Sequence, residues 1–220
     1  MRVGLSLFVS VPLLIVAAFG GPKAPFPDPA TDIPASEATG PQTAVLAGGC
    51  FWGMEAVFEH LKGVTNVVSG FAGGEQKTAH YYTVSTGETG HAESVEITYD
   101  PKEITYGQIL KVYFAVAHDP TELNHQGPDY GTQYRSAVFY ANDEQKKVAE
   151  AYIQQLDNAG VFKHKIVTQV VPLKGFYAAE KHHQHYLEHN RTDPYIVTND
   201  LPKLAALKKE YPAMCKREAK

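Results

Sequence analysis

Thr43-Ala44-Val45-Leu46-Ala47-Gly48-Gly49-Cys50-Phe51-Trp52-Gly53-Met54-Glu55-Ala56-Val57-Phe58-Glu59-His60-Leu61-Lys62-Gly63 passes from an apolar, strand-like run through a glycine pair into a run of helical spacing that stops at a glycine. A strand over residues 43–47 therefore feeds a helix over residues 54–62, and Cys50 lies at or beside that helix's N-terminal end. Backbone N–H groups without an intrahelical acceptor, together with the positive end of the helix dipole, stabilise an anion at such a place. The position is expected to lower the Cys50 pKa and to make its sulfur nucleophilic near neutral pH. A buried structural cysteine at a strand-to-helix turn is the plainer alternative.

Beyond this stretch the pattern keeps alternating between strand and helix. Strands are expected over residues 64–71, 92–99, 136–140 and 166–171, and helices over residues 105–116 (capped by Thr105), 143–156 (stopped by Gly160) and 176–189. Residues 72–90 and 118–134 read as polar, glycine-punctuated loops. The second is long enough to suggest a functional segment. A short helix over residues 204–209 is expected in what otherwise reads as a tail. Spacing alone supports a two-layer domain containing both element types.

Arg2 precedes an apolar run over residues 3–19 that contains Pro12 and ends in small residues at Ala17, Ala18, Gly20 and Gly21. Residues 1–21 read as a secretory signal peptide, with an uncleaved membrane anchor as the alternative. The protein is accordingly expected to be periplasmic or secreted, or membrane-anchored if the segment is retained. Residues 22–41 are proline-rich and read as a flexible linker that need not pack. The catalytic domain is then residues 42–205, followed by a C-terminal tail, residues 206–220, that carries Cys215. A formal net charge of -4 and scattered Lys and Arg residues give no basic field, so nucleic acid is excluded as a partner.

Three blocks stand out: Gly49-Cys50-Phe51-Trp52-Gly53 followed by Met54-Glu55, Thr89-Gly90-His91-Ala92-Glu93, and Asp129-Tyr130-Gly131-Thr132-Gln133-Tyr134-Arg135-Ser136. A weaker fourth is His183-Gln184 followed by Tyr186-Leu187. In this order, over about residues 43 to 205, they resemble the A-type peptide methionine sulfoxide reductases. The resemblance implies an α+β fold, a two-layer mixed β-sheet flanked by helices with a ferredoxin-like core. It implies reduction of methionine-S-sulfoxide in oxidised proteins, with free methionine sulfoxide as a further substrate, through a Cys50 sulfenic acid and a thioredoxin-like reductant. No cofactor and no metal are expected, and the chain is expected to act as a monomer.

The residue types suit that chemistry. A sulfoxide needs a nucleophile on its sulfur, a proton donor for its oxygen and an apolar wall for its methyl. Cys50 supplies the thiolate, and Phe51 and Trp52 the wall. Glu93, on a strand among apolar neighbours, reads as a partly desolvated carboxyl able to hold a proton near neutral pH, with an exposed strand carboxylate as the other reading of the residue alone. Tyr81 and Tyr134 add hydroxyl donors to the oxygen. Tyr82 is the alternative to Tyr81 by a one-residue shift. The resemblance places Asp129 in the substrate pocket with Tyr81 and Tyr134; loop scaffolding, with Asp129 holding backbone N–H groups or Arg135, is its other reading. Turnover needs a second thiol, and Cys215 is the candidate resolving cysteine, an external thiol the alternative.

Other readings remain at this stage. His182, His183, His185 and His189 invite a metal site, but no acidic or cysteine ligand joins them at convincing spacing, and Glu55 and Glu59 read as the solvated face of the first helix. His91 reads as orienting the second block. A Cys-His hydrolase pairing Cys50 with His91, His118 or His183, and a non-catalytic domain binding methionine or a metal, complete the alternatives.

Overall fold

The computed structural model describes residues 25–35 and 40–217. The regular elements, in chain order, are β1 (Gln42–Ala47), α1 (Phe51–Glu59), β2 (Val64–Ala72), α2 (Tyr81–Val84), β3 (Ala92–Tyr99), α3 (Tyr106–Val112), β4 (His125–Gln126), β5 (Asp129–Tyr130), β6 (Ala137–Tyr140), α4 (Asp143–Asn158), β7 (Gln169–Pro172), β8 (Phe176–Ala178), α5 (Tyr186–His189) and α6 (Leu201–Glu210). π-helical turns extend α3 over Tyr113–Ala117 and precede α6 over Ile196–Asp200. The signal-peptide reading falls on residues 1–21, outside the described residues. Among those described, no helix is long and apolar enough to cross a membrane.

The sheet order is β7-β6-β1-β3-β2-β8, antiparallel throughout except for the β6–β7 pair. Its centre, β6-β1-β3-β2 with α1 and α3 as crossovers, is the ferredoxin-like split βαβ arrangement, so the α+β mixed sheet flanked by helices is what the chain forms. Period-two alternation divides the strands between two faces. Ala44, Leu46, Val67, Phe71, Val95, Ile97 and Val138 enter the main core with Phe58, Leu61, Ile109 and Leu110. Val45, Ala47, Ala72, Ala92, Ala137 and Phe139 form a smaller cluster on the other face, covered by Val171, Leu173 and Phe176. Each large aliphatic or aromatic side chain buried in this way contributes roughly 1.5–3 kcal/mol. Thr105 caps α3 in a reciprocal box with Gln108, as its sequence position suggested.

Three expectations are corrected. The helix expected over residues 176–189 is instead the edge strand β8, a 3₁₀ turn over Lys181–His183 and the single turn α5. Short aromatic runs do not distinguish helix from strand, and here the open edge of β2 supplies backbone partners, Phe71 opposite Tyr177 and Ala72 opposite Phe176. The loops hold short structure, α2 in the first and the β4–β5 hairpin in the second. The tail is docked: Leu204 and Leu207 of α6 are buried, and Cys215 forms a β-bridge with Leu61.

The segment expected to be an unpacked linker also binds the domain over residues 25–35. The Tyr152 hydroxyl donates to the Pro27 carbonyl at 2.6 Å, and Phe26 meets Phe162 edge-on. Asp32 accepts from the Thr105 hydroxyl at 2.5 Å and from the Gly107 N–H at 2.8 Å, closing the N-terminus of α3. Asp32→Ala is expected to lower the urea unfolding free energy by about 1–3 kcal/mol, since it removes a cap and strands a buried donor. An unchanged midpoint would show that the Asp32 contacts contribute nothing to the fold.

Candidate active site

β1 ends at Ala47, and the chain turns through Gly48 and Gly49 into α1, leaving Cys50 at the helix N-cap. Gly49 has φ +84°, a conformation that L side chains rarely adopt, and a Cβ there would lie 2.5 Å from the Gln126 side chain. Gly53 is pressed against Asp200, whose Oδ1 would sit 2.1 Å from an added Cβ. The glycines around the cysteine thus admit the β4–β5 hairpin on one side and the segment before α6 on the other.

β3 runs beside β1 and delivers Glu93 to the same helix end. Its Oε2 accepts the Phe51 N–H at 3.1 Å, and the side chain is buried. Desolvation, with smaller contributions from Asp129 and Asp200, lifts Glu93 to about 8. It therefore carries a proton at neutral pH, as its apolar strand neighbours suggested.

Cys50 departs from expectation. Burial first, then the nearby Glu93 and Asp200 carboxylates, push its pKa well up; the Trp52 N–H and Lys203 pull the other way with less effect. The helix terminus is present, but desolvation, joined by the charge on Asp200 and by that of Glu93 once it ionises, outweighs a dipole worth about 0.3–1 kcal/mol. The resting sulfur is a thiol.

Aromatic side chains surround it. Phe51 contacts Phe71, Tyr81 and His183, with ring centroids 5.8, 6.2 and 5.5 Å away. Trp52 stacks on Tyr186 at 3.8 Å and meets Tyr195 edge-on at 6.0 Å. Tyr81 is packed against this group, whereas Tyr82 is 84% exposed. Burial and the neighbouring Glu93 carboxylate raise the pKa of both Tyr81 and Tyr134, so both keep their hydroxyl protons as donors. Asp129 accepts from the Tyr195 hydroxyl, and burial raises its pKa. Arg135 binds the carbonyls of Gly90, His91 and Thr132 at 2.9, 3.1 and 2.8 Å, tying the second block to the third.

The candidate histidines are otherwise engaged. His118 bonds Ser136 Oγ and the Tyr113 carbonyl, and burial depresses it to about 3. His91 bonds the Gly74 N–H and the Glu75 carbonyl, holding the second block as expected. His183 Nδ1 accepts from the Trp52 indole at 3.3 Å. His91 and His118 have both ring nitrogens occupied, and no histidine is among the groups that shift Cys50, which weighs against the Cys-His hydrolase.

Glu55 and Glu59 do not form a solvated face. Glu55 is 1% exposed, accepts the His185 N–H at 2.8 Å, and is lifted to about 7 by burial and by Glu59. Glu59 pairs with His185 Nδ1 at 2.6 Å. The ligand atoms of Glu55, Glu59 and His185 lie within 4.8 Å of one another, so acidic groups do join the histidine stretch in space.

Sequence reasoning missed Tyr195, Asp200 and Lys203. Asp200 is fully buried and pairs with Lys203 at 3.2 Å. All three lie at the end of the expected catalytic domain, where no regular element was expected before residue 204, and the signal available was the stretch Asn199-Asp200-Leu201-Pro202-Lys203, whose buried acid only the packing of α6 against α1 reveals. Cys215 is the reverse case. It lies beside Leu61, beyond the C-terminal end of α1, with its Sγ near the Tyr211 carbonyl at 3.4 Å. The rise of α1 and the turn after it separates the two cysteines by roughly 15 Å, whereas a disulfide requires Cα atoms within about 7 Å.

The family model of peptide methionine sulfoxide reductase matches residues 42–214. Peptide methionine sulfoxide reductase MsrA 2 of Mesorhizobium japonicum is 59% identical over 177 residues, 80% of this chain and 91% of that protein. Its namesake from Synechocystis is 50% identical over 187 residues, 84% of this chain and 87% of that one. The solved methionine sulfoxide reductase A of Corynebacterium diphtheriae is 35% identical with a TM-score of 0.60, covering 79% of this chain and 88% of its own. Mxr1 of Saccharomyces cerevisiae, in its reduced form, is 34% identical with a TM-score of 0.63, covering 74% of this chain and 91% of its own. A cysteine at the head of a helix, a buried protonated carboxyl on that helix's first N–H and an aromatic enclosure coincide here with sequence likeness along the whole domain, and the chain belongs to the peptide methionine sulfoxide reductase family, A type.

Proposed function

We propose that this enzyme reduces the S epimer of methionine sulfoxide in oxidised polypeptides through a sulfenic acid on Cys50. The observation that supports the reading best is the buried Glu93 carboxyl, neutral near pH 7 and bonded to the residue next to the nucleophile. The ε-methyl of the substrate packs on Phe51 and Trp52, and its oxygen faces Glu93, Tyr81 and Tyr134. Cys50 sulfur attacks the sulfoxide sulfur while the oxygen takes protons from the thiol and Glu93. Oxygen then passes to Cys50, leaving Cys–SOH and methionine and returning the proton to Glu93. The two electrons gained by the sulfoxide are those lost by Cys50.

With Glu93 protonated, a repulsive charge beside Cys50 is gone, so the thiol gives up its proton more readily as its sulfur attacks. Tyr195 and Asp129 form one side of the pocket and suit the amide of a peptide-bound methionine. A thioredoxin-like thiol supplied from outside regenerates Cys50. Cys215, held at the far end of α1, takes no direct part while the tail is docked. The setting we propose is repair of oxidised extracytoplasmic proteins, a reading supported by the composition of residues 1–21.

Single-turnover mixing of the pre-reduced protein with an S-sulfoxide methionyl peptide is expected to release one equivalent of methionine and leave a dimedone-reactive Cys50, identified by mass spectrometry. No methionine would overturn the reading.

Glu93→Gln is expected to lower kcat/KM by about hundredfold or more and to abolish the fall in activity as pH rises past about 8. The sign for stability follows from the same shift. The folded pKa lies above the ordinary 4.5, so the folded state holds the extra proton and loses stability as pH rises from 4.5 towards 8. Urea unfolding of Glu93→Gln should show a flatter pH dependence in that window.

Cys215→Ser is expected to retain multiple turnover with an external dithiol within about twofold. A turnover arrested after one methionine would instead make Cys215 the resolving thiol and require the tail to undock.

A further inference from the structure

Trp52 does not hold its place by helix geometry alone. Its ring lies on Tyr186, with centroids 3.8 Å apart and planes 13° from parallel, and stacks with His183 at 5.8 Å. Both partners come from residues 180–186, a strap of turns with little regular structure to fix it. The strap is pinned by side chains. Gln184 takes the Ser69 N–H at 2.9 Å and returns its amide to the Ser69 carbonyl at 2.9 Å, extending the edge of β2. Between Gln184 and Tyr186, His185 has φ +54°, unusual for a residue with a Cβ. Its N–H points back into the protein and is met by Glu55 Oε2 at 2.8 Å. Glu55 is one turn along α1 from Trp52, so the helix that presents the ring also presents the acceptor that fixes the ring's partners.

We propose that Glu55 is a positioning residue for the methyl wall: by accepting the His185 N–H it locks the strap in the conformation that stacks Tyr186 and His183 on Trp52. The inference rests on the reading of Trp52 as the wall that receives the substrate methyl. Glu55 does not touch the reacting atoms. Its loss leaves a part-buried N–H without its acceptor and removes the bond that stabilises a left-handed residue. The strap then relaxes, and the wall loosens without altering Cys50 or Glu93. The effect falls on binding of the sulfoxide and leaves the chemical step in place.

Trp52 is the chain's only tryptophan, so its fluorescence reports the stack directly. Glu55→Ala is expected to shift the emission to the red and to raise KM for an S-sulfoxide peptide about tenfold with kcat within about threefold. Glu55→Gln, which keeps an acceptor oxygen, is expected to restore both. Iodoacetamide alkylation of Cys50 should proceed at the same rate in all three proteins. Unchanged emission and KM in Glu55→Ala, a loss of kcat at constant KM, or failure of Glu55→Gln to restore the wild-type values would each overturn the proposal. Should Glu55→Ala fail to fold, Tyr186→Ala removes the stacking plate itself and must give the red shift and the KM effect; neither appearing overturns the proposal equally. If the wild type reduces no sulfoxide, the functional reading fails, while the emission of the Glu55 variants still decides whether the latch exists.

Discussion

The Glu93 carboxyl, buried on β3 and bonded to the Phe51 N–H, is the contact around which the site is arranged. A carboxylate withdrawn from water costs several kcal/mol unless donors meet it or it takes a proton. The first N–H groups of a helix are donors without acceptors, so the N-terminus of α1 is the natural place for the acid to go. The split βαβ order provides the encounter, because β3 pairs with both β1, which leads into α1, and β2, which follows it. One donor does not offset the whole desolvation, and the acid stays protonated near neutral pH. The same low dielectric keeps Cys50 a thiol until the substrate arrives. Acid and nucleophile are therefore not tuned independently: each sets the charge that the other feels.

Around this pair the enclosure is assembled from segments with little regular structure. Tyr81 rides on one helical turn, Asp129 and Tyr134 flank a two-residue strand and a 3₁₀ turn, and His183, Tyr186 and Tyr195 come from turns after β8. Such segments keep their shape here through side chains that take over backbone hydrogen bonds, as Gln184 does for Ser69 and Arg135 for Gly90 and His91. The ferredoxin-like centre supplies rigidity to the nucleophile and the acid. The periphery supplies recognition, and it is there that relatives on the same scaffold have room to differ.

The electrostatics beside Cys50 depend on a residue that looks incidental in the chain. Asp200 is fully buried against Gly53 and balanced by Lys203 three residues on, one turn of helix away. Its charge opposes thiolate formation, as that of Glu93 does once that acid ionises, and Lys203 offsets part of it. The bare Cα of Gly53 is what lets this pair approach the helix.

Much of the centre was legible in the chain. Alternation over residues 92–99, the strand-to-helix passage through Cys50 and the Thr105 cap each describe a local preference that burial later reinforced. Glu93 was legible as an acid through its apolar neighbours taken with the resemblance of its block; its burial came from the packing of β3 between β1 and β2. Short peripheral elements were not: residues 176–178 became a strand because β2 had an open edge, residues 25–35 packed because α3 and α4 offered partners, and Glu55 turned out to be buried because the strap covers it. The Cys50 pKa went opposite to expectation for the same reason, since the burial that chiefly raises it, and the carboxylates at positions 93 and 200 that add to it, come from tertiary packing. Local sequence determined where elements begin and what chemistry they carry, because capping, periodicity and residue type act over a few neighbours. Only the tertiary structure decided which charges share a dry space, which edge recruits a strand, and that Cys215 lies a helix length from Cys50, because those depend on distances between residues far apart in the chain.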